Sequence, residues 1–319
     1  MVHTIALSDG KKIPFLAWGN GTGDGKTTPV ELGVTALKGG ITHIDTAQIY
    51  GTQEETTKSI NEGGFKRSDI WITSKIGKLD GPQSPESIKK VVYDSVKKIG
   101  SPPDLYLIHN PFLGESGKLG EFWQVLEGLV EDGTLKGTSL GVSNFRPQDL
   151  EEVLKVAKIK PVVNQVEYHP YVLEHLDPVT KLQEAHGIIY EAYGPLTPVL
   201  RHKTGGPLKP VLEKIAKTLS QETGKEVDEA GVLLLWTRGK GVVAVTSSGK
   251  KANIAKMVAL DDVRDLTSAE MAEIEETGRK VHFRHYVSRS ASRTRRGLKE
   301  SQQEHMNKDY PSPNLPDGL

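Results

Sequence analysis

Eight strand-like runs, each followed by a stretch with helical spacing, predict a closed (β/α)8 barrel. Three observations carry this. The alternation is sustained over about 260 residues, a length suited to one such barrel. Strands alternating with helices imply parallel pairing through right-handed crossovers. No linker-like composition divides the chain before residue 280, so one domain is expected over 1–286, with a polar tail over 287–319.

The opening "TIALSDGKKIPFL" reads as a hairpin around an Asp-Gly turn, placed to cover one barrel mouth. A first barrel strand is assigned near "IPFLAWGNG" (13–21), ahead of the helical "PVELGVTALKGG" (29–40). Further strands follow at "GGITHIDTA" (39–47), "DIWITSKI" (69–76), "PDLYLIHNP" (103–111) and "KGTSLGVSNF" (136–145). The last three are "KPVVNQVEYHP" (160–170), "GIIYEAYGPL" (187–196) and "GVVAVTSS" (241–248). In "SPESIKKVVYDSVKKIG" (84–100), Ile88, Val91, Val92, Ser95, Val96 and Ile99 recur at helical spacing. Ser84 with Pro85 and Glu86 makes a helix start there, and Gly100 a stop. "RPQDLEEVLKVAKI" (146–159) repeats the grammar of an amphipathic helical segment.

Acidic and basic residues balance at 41 each, so no overall field favours nucleic acid, membrane or a polyanionic partner. Charged residues at 26% and hydrophobic residues at 36% describe a globular chain rather than a disordered one. With no cysteine, disulfides, thiolate zinc sites, iron–sulfur clusters and a cysteine nucleophile are excluded, and no metal is expected. "MVHTIALSDGKKIP" lacks a charged-then-apolar leader pattern, and a cytoplasmic location is expected. In the tail, Arg289, Arg293, Arg295, Arg296 and Lys299 form a basic cluster, read as a solvated or loosely docked segment rather than a nucleic-acid arm.

In a barrel, active groups collect at the carboxyl ends of the strands. There "HIDTAQIYG" places Asp45 and Tyr50, "WITSK" places Lys75 and "LYLIH" places His109. Neighbouring strands run about 5 Å apart, which brings these four within reach of one pocket. Taken singly, a strand-end lysine or histidine is more often structural. Together they form a chemical set. A lysine ammonium stabilises a phenolate and lowers the tyrosine pKa, and a carboxylate keeps that lysine charged and oriented. Histidine can hydrogen-bond a substrate oxygen. Such a set protonates an oxygen on which negative charge develops during hydride delivery to a carbonyl.

The pieces "HIDTAQIYG", "IWITSK", "DLYLIHNP", "GVSNF", "NQVEYHPY" and "EAYGPL" together resemble the aldo-keto reductase family, over roughly residues 5–286. The "LIHNPF" and "EAYGPLTP" wording is most similar to fungal members, including conjugated polyketone reductases. The resemblance implies reduction of aldehydes or ketones with NADPH, NADH being possible. It implies that Tyr50 is the general acid, that Lys75 and Asp45 lower its pKa, and that His109 orients the carbonyl. Ser143, Asn144 and Gln165 would hold the nicotinamide carboxamide, and Tyr193 would lie under the ring. Gly194, Pro195 and Leu196 would follow the pyrophosphate, with Gly21 and Thr22 approaching from the first loop. Thr246, Ser247, Ser248, Lys250 and Asn253 would meet the far phosphate. No GxGxxG fingerprint supports the alternative open-sheet dinucleotide fold.

Three departures from the family pattern shape the expectations. In "TSSGKKANIAK" (246–256), Thr246 stands where a lysine is usual, and Ala252 or Asn253 where an arginine grips the 2′-phosphate. Lys250 and Lys251 are the cations expected to compensate. Second, Gly23, Gly77 and Asn110 occupy positions that often hold tryptophan, so a roomier pocket lined by them is expected. Such a pocket suits polar ketones, α-keto lactones among them, or bulky carbonyls over slim apolar aldehydes. Third, "VHFRHY" (281–286) corresponds to the usual chain end, which borders the substrate, with the tail beyond it. A second class of function on this fold, an accessory sensor subunit of a potassium channel, lacks support in the pocket motifs. A monomer or a dimer is compatible with the sequence.

Overall fold

The structure, a computed structural model, describes residues 3–286. The expected polar tail, with its basic cluster, lies outside the described residues. A two-stranded antiparallel hairpin comes first, β1 (Thr4–Ala6) and β2 (Lys12–Pro14), with Ile5 opposite Ile13. Gly10 takes a φ of 88° in the turn, a left-handed conformation that glycine adopts without strain. The hairpin plugs the amino-terminal mouth of the barrel. Leu7 and the fully buried Ile13 pack with Leu105, Val163 and Val243, the first residues of three barrel strands.

Eight parallel strands then close on themselves: β3 (Leu16–Gly19), β4 (His43–Asp45), β5 (Trp71–Ile76), β6 (Leu105–Ile108), β7 (Ser139–Ser143), β8 (Val163–Glu167), β9 (Ile189–Tyr193) and β10 (Val243–Thr246). β10 pairs with β3 to complete the cylinder. The expected barrel and hairpin are therefore present. Because side chains alternate across a strand, one set faces the helices and the other the barrel axis. In β4, Ile44 packs outward with Leu37, Ile60 and Ile72. His43 and Asp45, on the opposite face, reach Thr73 and Lys75.

The helix at 85–99 forms as its sequence grammar requires. Ser84 Oγ accepts from Ser87 N, Ser87 Oγ accepts from Ser84 N, and Gly100 ends the helix at φ 77°. Ile88, Val91, Val92 and Ile99 are buried on one face, each stabilising by roughly 1.5–3 kcal/mol. The segment 146–159 is helical in its first part. Its helix runs only Pro147–Leu154. The buried Glu127, on the preceding helix Leu119–Glu131, accepts from both Lys158 N and Ile159 N at 2.7 Å. That carboxylate satisfies the two amides that follow the last helical hydrogen bond, Ala157 N to Val153 O, before the chain enters β8. Between β9 and β10 lie two long helices rather than one, Leu208–Thr223 and Glu229–Gly239. Among the described residues no helix is long and apolar enough to cross a membrane.

Candidate active site

β4 ends at Asp45, and the single helical turn Gln48–Tyr50 then presents the phenol. Gly51, at φ 72°, reverses the chain into the helix Gln53–Gly63. Lys75, one residue from the end of β5, is fully buried. Its Nζ lies 2.6 and 2.7 Å from the Asp45 carboxylate oxygens and donates to Thr46 O at 3.0 Å. The same Nζ sits 5.0 Å from the centroid of the Tyr50 ring. His109 follows β6 directly, and its ring meets Tyr50 edge to face, with centroids 5.5 Å apart. The four strand-end groups are thus brought together.

The electrostatics separate their states. Burial disfavours the Lys75 ammonium, but Asp45, Tyr50 and Glu191 outweigh that and hold its pKa above the ordinary lysine value. Burial first, and then Lys75, depress His109 to about 3, so its imidazole is neutral at physiological pH. Tyr50 departs from expectation. Lys75 does pull the phenol down, but burial pushes it up more strongly and Asp45 adds to that push, so the net displacement is upward. A phenolate taken out of water loses more than one nearby cation returns. Tyr50 consequently holds its proton at neutral pH.

A second network adjoins the first. Gln165 Nε2 donates to Asp45 Oδ2 at 2.8 Å, and Ser143 Oγ donates to Gln165 O at 2.8 Å. Asn144 is the one described non-glycine residue at positive φ, 61°. Such backbone strain concentrates at functional sites. Its amide is fixed on three sides: Nδ2 donates to His109 O and Ser143 Oγ, and Oδ1 accepts from Tyr193 OH at 2.8 Å.

These groups floor a cavity of about 650 Å³ that runs across the carboxyl end of the barrel. Gly21, Thr22, Asp45, Tyr50, His109, Ser143, Asn144, Gln165, Tyr193, Gly194, Pro195, Leu196, Thr246, Ser247, Ser248 and Asn253 all line it. Lys75 lies beneath the floor. Lys250 does not line it; it is an exposed residue preceding the helix Lys251–Ala259. The three positions expected to widen the pocket are placed differently too. Gly77 and Asn110 line a second hollow of about 370 Å³ with Gln83 and Phe112, sharing no lining residue with the cleft. The room opposite Gly77 is occupied, since a Cβ there would lie 2.7 Å from Ile49 Cγ2 and 3.0 Å from His109 Nδ1. The Asn110 side chain is engaged by its own loop, its Oδ1 accepting from Phe112 N at 3.0 Å. Gly23, at φ 54°, faces open space.

Several residues at the site were not among those expected. Glu191 projects from β9 toward Asp45 and Lys75, fully buried, with its Oε1 3.7 Å from His43 Nε2. The signal was available: in "IIYEAY" an acid shares the inward face with Tyr193 by the two-residue period. Tyr286 borders the cavity and stands edge-on to Tyr193 at 5.3 Å. It is seated by Glu167, whose carboxylate accepts from His285 N at 2.9 Å and Tyr286 N at 3.3 Å. Glu226, Asp228 and Lys256 border the far end. Among the described residues no group of three or more acids and histidines is placed to hold a metal ion.

A closed parallel barrel with a phenol and a neutral imidazole above a buried ion pair, at one end of a long cleft, defines a barrel oxidoreductase. The chain belongs to the aldo/keto reductase family, whose family model matches residues 17–278. It is 35% identical to the NAD/NADP-dependent indole-3-acetaldehyde reductase of Schizosaccharomyces pombe, over 87% of this chain and 96% of that protein. It is 35% identical to the NADPH-dependent alpha-keto amide reductase of Saccharomyces cerevisiae, over 86% and 90%. Among solved structures, an aldo/keto reductase from Brucella melitensis superimposes with a TM-score of 0.72 at 33% identity, covering 87% of this chain and all of that one.

Proposed function

We propose that this chain reduces a ketone or aldehyde to an alcohol with a nicotinamide dinucleotide, NADPH or NADH, and that Tyr50 supplies the proton. The observation that carries the proposal is the buried Lys75–Asp45 pair under a protonated Tyr50 that also meets His109.

The cleft suits such a cofactor by its own side chains. Ser143, Asn144 and Gln165 present hydroxyl and amide groups at the floor, and the half-buried Tyr193 offers a flat face beside them. Gly21 and Gly194 leave backbone where side chains would not fit. A Cβ at Gly21 would lie 2.5 Å from the Tyr50 ring, and one at Gly194 would lie 2.5 Å from Tyr286. When bound, the reduced dinucleotide supplies the hydride. Ser143, Asn144 and Gln165 would hold its carboxamide, Tyr193 would support the ring, and Gly194–Leu196 with Gly21 and Thr22 would border the pyrophosphate.

The remaining chemistry belongs to the chain. His109, being neutral, donates a hydrogen bond to the substrate oxygen and orients the carbonyl without a competing charge. Tyr50 then gives its proton to the oxygen as negative charge builds there. The phenolate left behind faces the Lys75 ammonium, which Asp45 keeps charged. A raised phenol pKa serves this direction, since the acid remains loaded until a strong base appears.

Polar ketones of the α-keto lactone or α-keto amide type are the substrates the chain fits best. The reading is supported by the budding-yeast relative, an alpha-keto amide reductase. A panel of α-keto lactones, α-keto amides, aldoses and aromatic aldehydes, assayed with both dinucleotides, tests the reading. Turnover concentrated on polar α-dicarbonyls supports it, and no dinucleotide oxidation across the panel contradicts it.

A further inference from the structure

We propose that Lys256, shared between Glu226 and the ligand, sets how strongly this chain discriminates a dinucleotide carrying a 2′-phosphate from one that lacks it. The inference rests on the dinucleotide reading of the cleft.

A ligand with its ring at Tyr193 must carry its other end away from Tyr50, toward the Thr246–Ser248 edge and the walls beyond it. Those walls are the helix Lys251–Ala259 and the residues that open the helix Glu229–Gly239. This end is acidic: Glu226, Asp228 and Glu229 all border the cleft. Carboxylates here accept hydrogen bonds from ribose hydroxyls and oppose a phosphate dianion.

Two cations border the cleft among the described residues, Arg201 and Lys256. Arg201 follows the helical turn Thr197–Leu200, on the loop that runs from Gly194, where the pyrophosphate common to both dinucleotides passes. A contact from Arg201 to that pyrophosphate would be common to both ligands and would not discriminate them. Lys256 lies at the distal end and is already engaged. Its Nζ is 2.6 Å from Glu226 Oε1 and 3.5 Å from Asp228 Oδ2. Asp228 is also tied to its own helix, accepting from Gly231 N at 2.9 Å. Glu226 has the more exposed carboxylate, 72% accessible, and is the partner free to yield. Binding of a 2′-phosphate then exchanges one anion for another on Lys256, and the gain is reduced by the Glu226 contact given up. The exposed Lys250, outside the cleft lining, takes no part.

Equilibrium titration of NADP⁺ and NAD⁺ by calorimetry tests this on the full chain without turnover. Lys256→Met is expected to weaken NADP⁺ by about tenfold or more, the size of one charge-assisted contact, and NAD⁺ by under about threefold. Retained NAD⁺ binding shows that the variant is folded. Glu226→Gln is expected to tighten NADP⁺ several-fold and to flatten its salt dependence. Equal weakening of both ligands by Lys256→Met, or a selective NADP⁺ loss produced by Lys250→Ala instead, overturns the assignment alone. Failure of the unaltered chain to bind either dinucleotide overturns the cleft reading and this assignment with it.

Discussion

The Lys75 ammonium and the Asp45 carboxylate meet at 2.6 Å with neither side chain more than 4% exposed. An ion pair this dry is held by the closure of the barrel, because β4 and β5 are neighbours in register. Removing one partner leaves the other charged and desolvated. Lys75→Met is therefore expected to destabilise the fold by about 3–5 kcal/mol, measured by urea unfolding. Adding Asp45→Asn should recover part of that loss. A single-variant cost below about 1 kcal/mol would show that the pair is solvated in practice.

Glu191 carries the clearest pH dependence. Burial, reinforced by Asp45, pushes its carboxyl up to about 8. Its sign follows from linkage. Below the ordinary carboxylate range the group is protonated in both folded and unfolded chains. As pH rises toward 8, the unfolded chain releases this proton while the folded chain retains it, so stability falls across that window and levels off above it. Glu191→Gln should match the parent near pH 4 and exceed it at pH 8.5 by an amount on the order of a few kcal/mol. The comparison is of melting curves at the two pH values. A difference independent of pH would remove Glu191 from this role.

Glu167 fastens the closing segment. Its carboxylate takes the amides of His285 and Tyr286, lies 3.4 Å from Arg284 Nε, and accepts from His169 at 3.2 Å. Glu167→Ala removes the carboxylate acceptor of these part-buried amides, at about 1–3 kcal/mol for each group. Hydrogen exchange at 284–286 should accelerate and KM for the carbonyl should rise, since Tyr286 borders the cleft. Unchanged exchange at those amides would show that the segment is held elsewhere.

Gly77 faces Ile49 and His109 at distances no real Cβ tolerates comfortably. Gly77→Ala is expected to slow turnover by displacing His109, with an overpacking cost of about 1–3 kcal/mol. Ile49 is half exposed and can be trimmed without opening the core. Gly77→Ala combined with Ile49→Ala should regain activity. If the second change brings no recovery, the contact with Ile49 is not what limits Gly77.

What the sequence made legible was local or periodic. The helix 85–99 could be read because Ser84, Ser87 and Gly100 fix its ends within a few residues. The strand-end set could be read because apolar runs ending in Asp, Lys and His share one geometric meaning in a barrel. Tertiary effects were not legible. The path of the chain after the helix Pro147–Leu154 depends on Glu127, distant in sequence, which accepts from Lys158 N and Ile159 N. Lys250 lies beside the cleft serines in sequence but outside the cleft lining in space. The upward displacement of Tyr50 depends on how dry the phenol is, a property of packing that no motif states. A glycine at 77 implies open volume in the sequence, and in the fold that volume is filled by Ile49.

Hydride transfer by Tyr50→Phe tests the central claim most directly. Stopped-flow mixing of the NADPH complex with a reducible ketone measures the step itself, and NADP⁺ titration measures binding in parallel. Transfer slower by about 10²–10⁴-fold, with NADP⁺ affinity held within about threefold, is the predicted result. Transfer at close to the parent rate, with the ring present and the hydroxyl gone, would contradict the assignment of the proton to Tyr50.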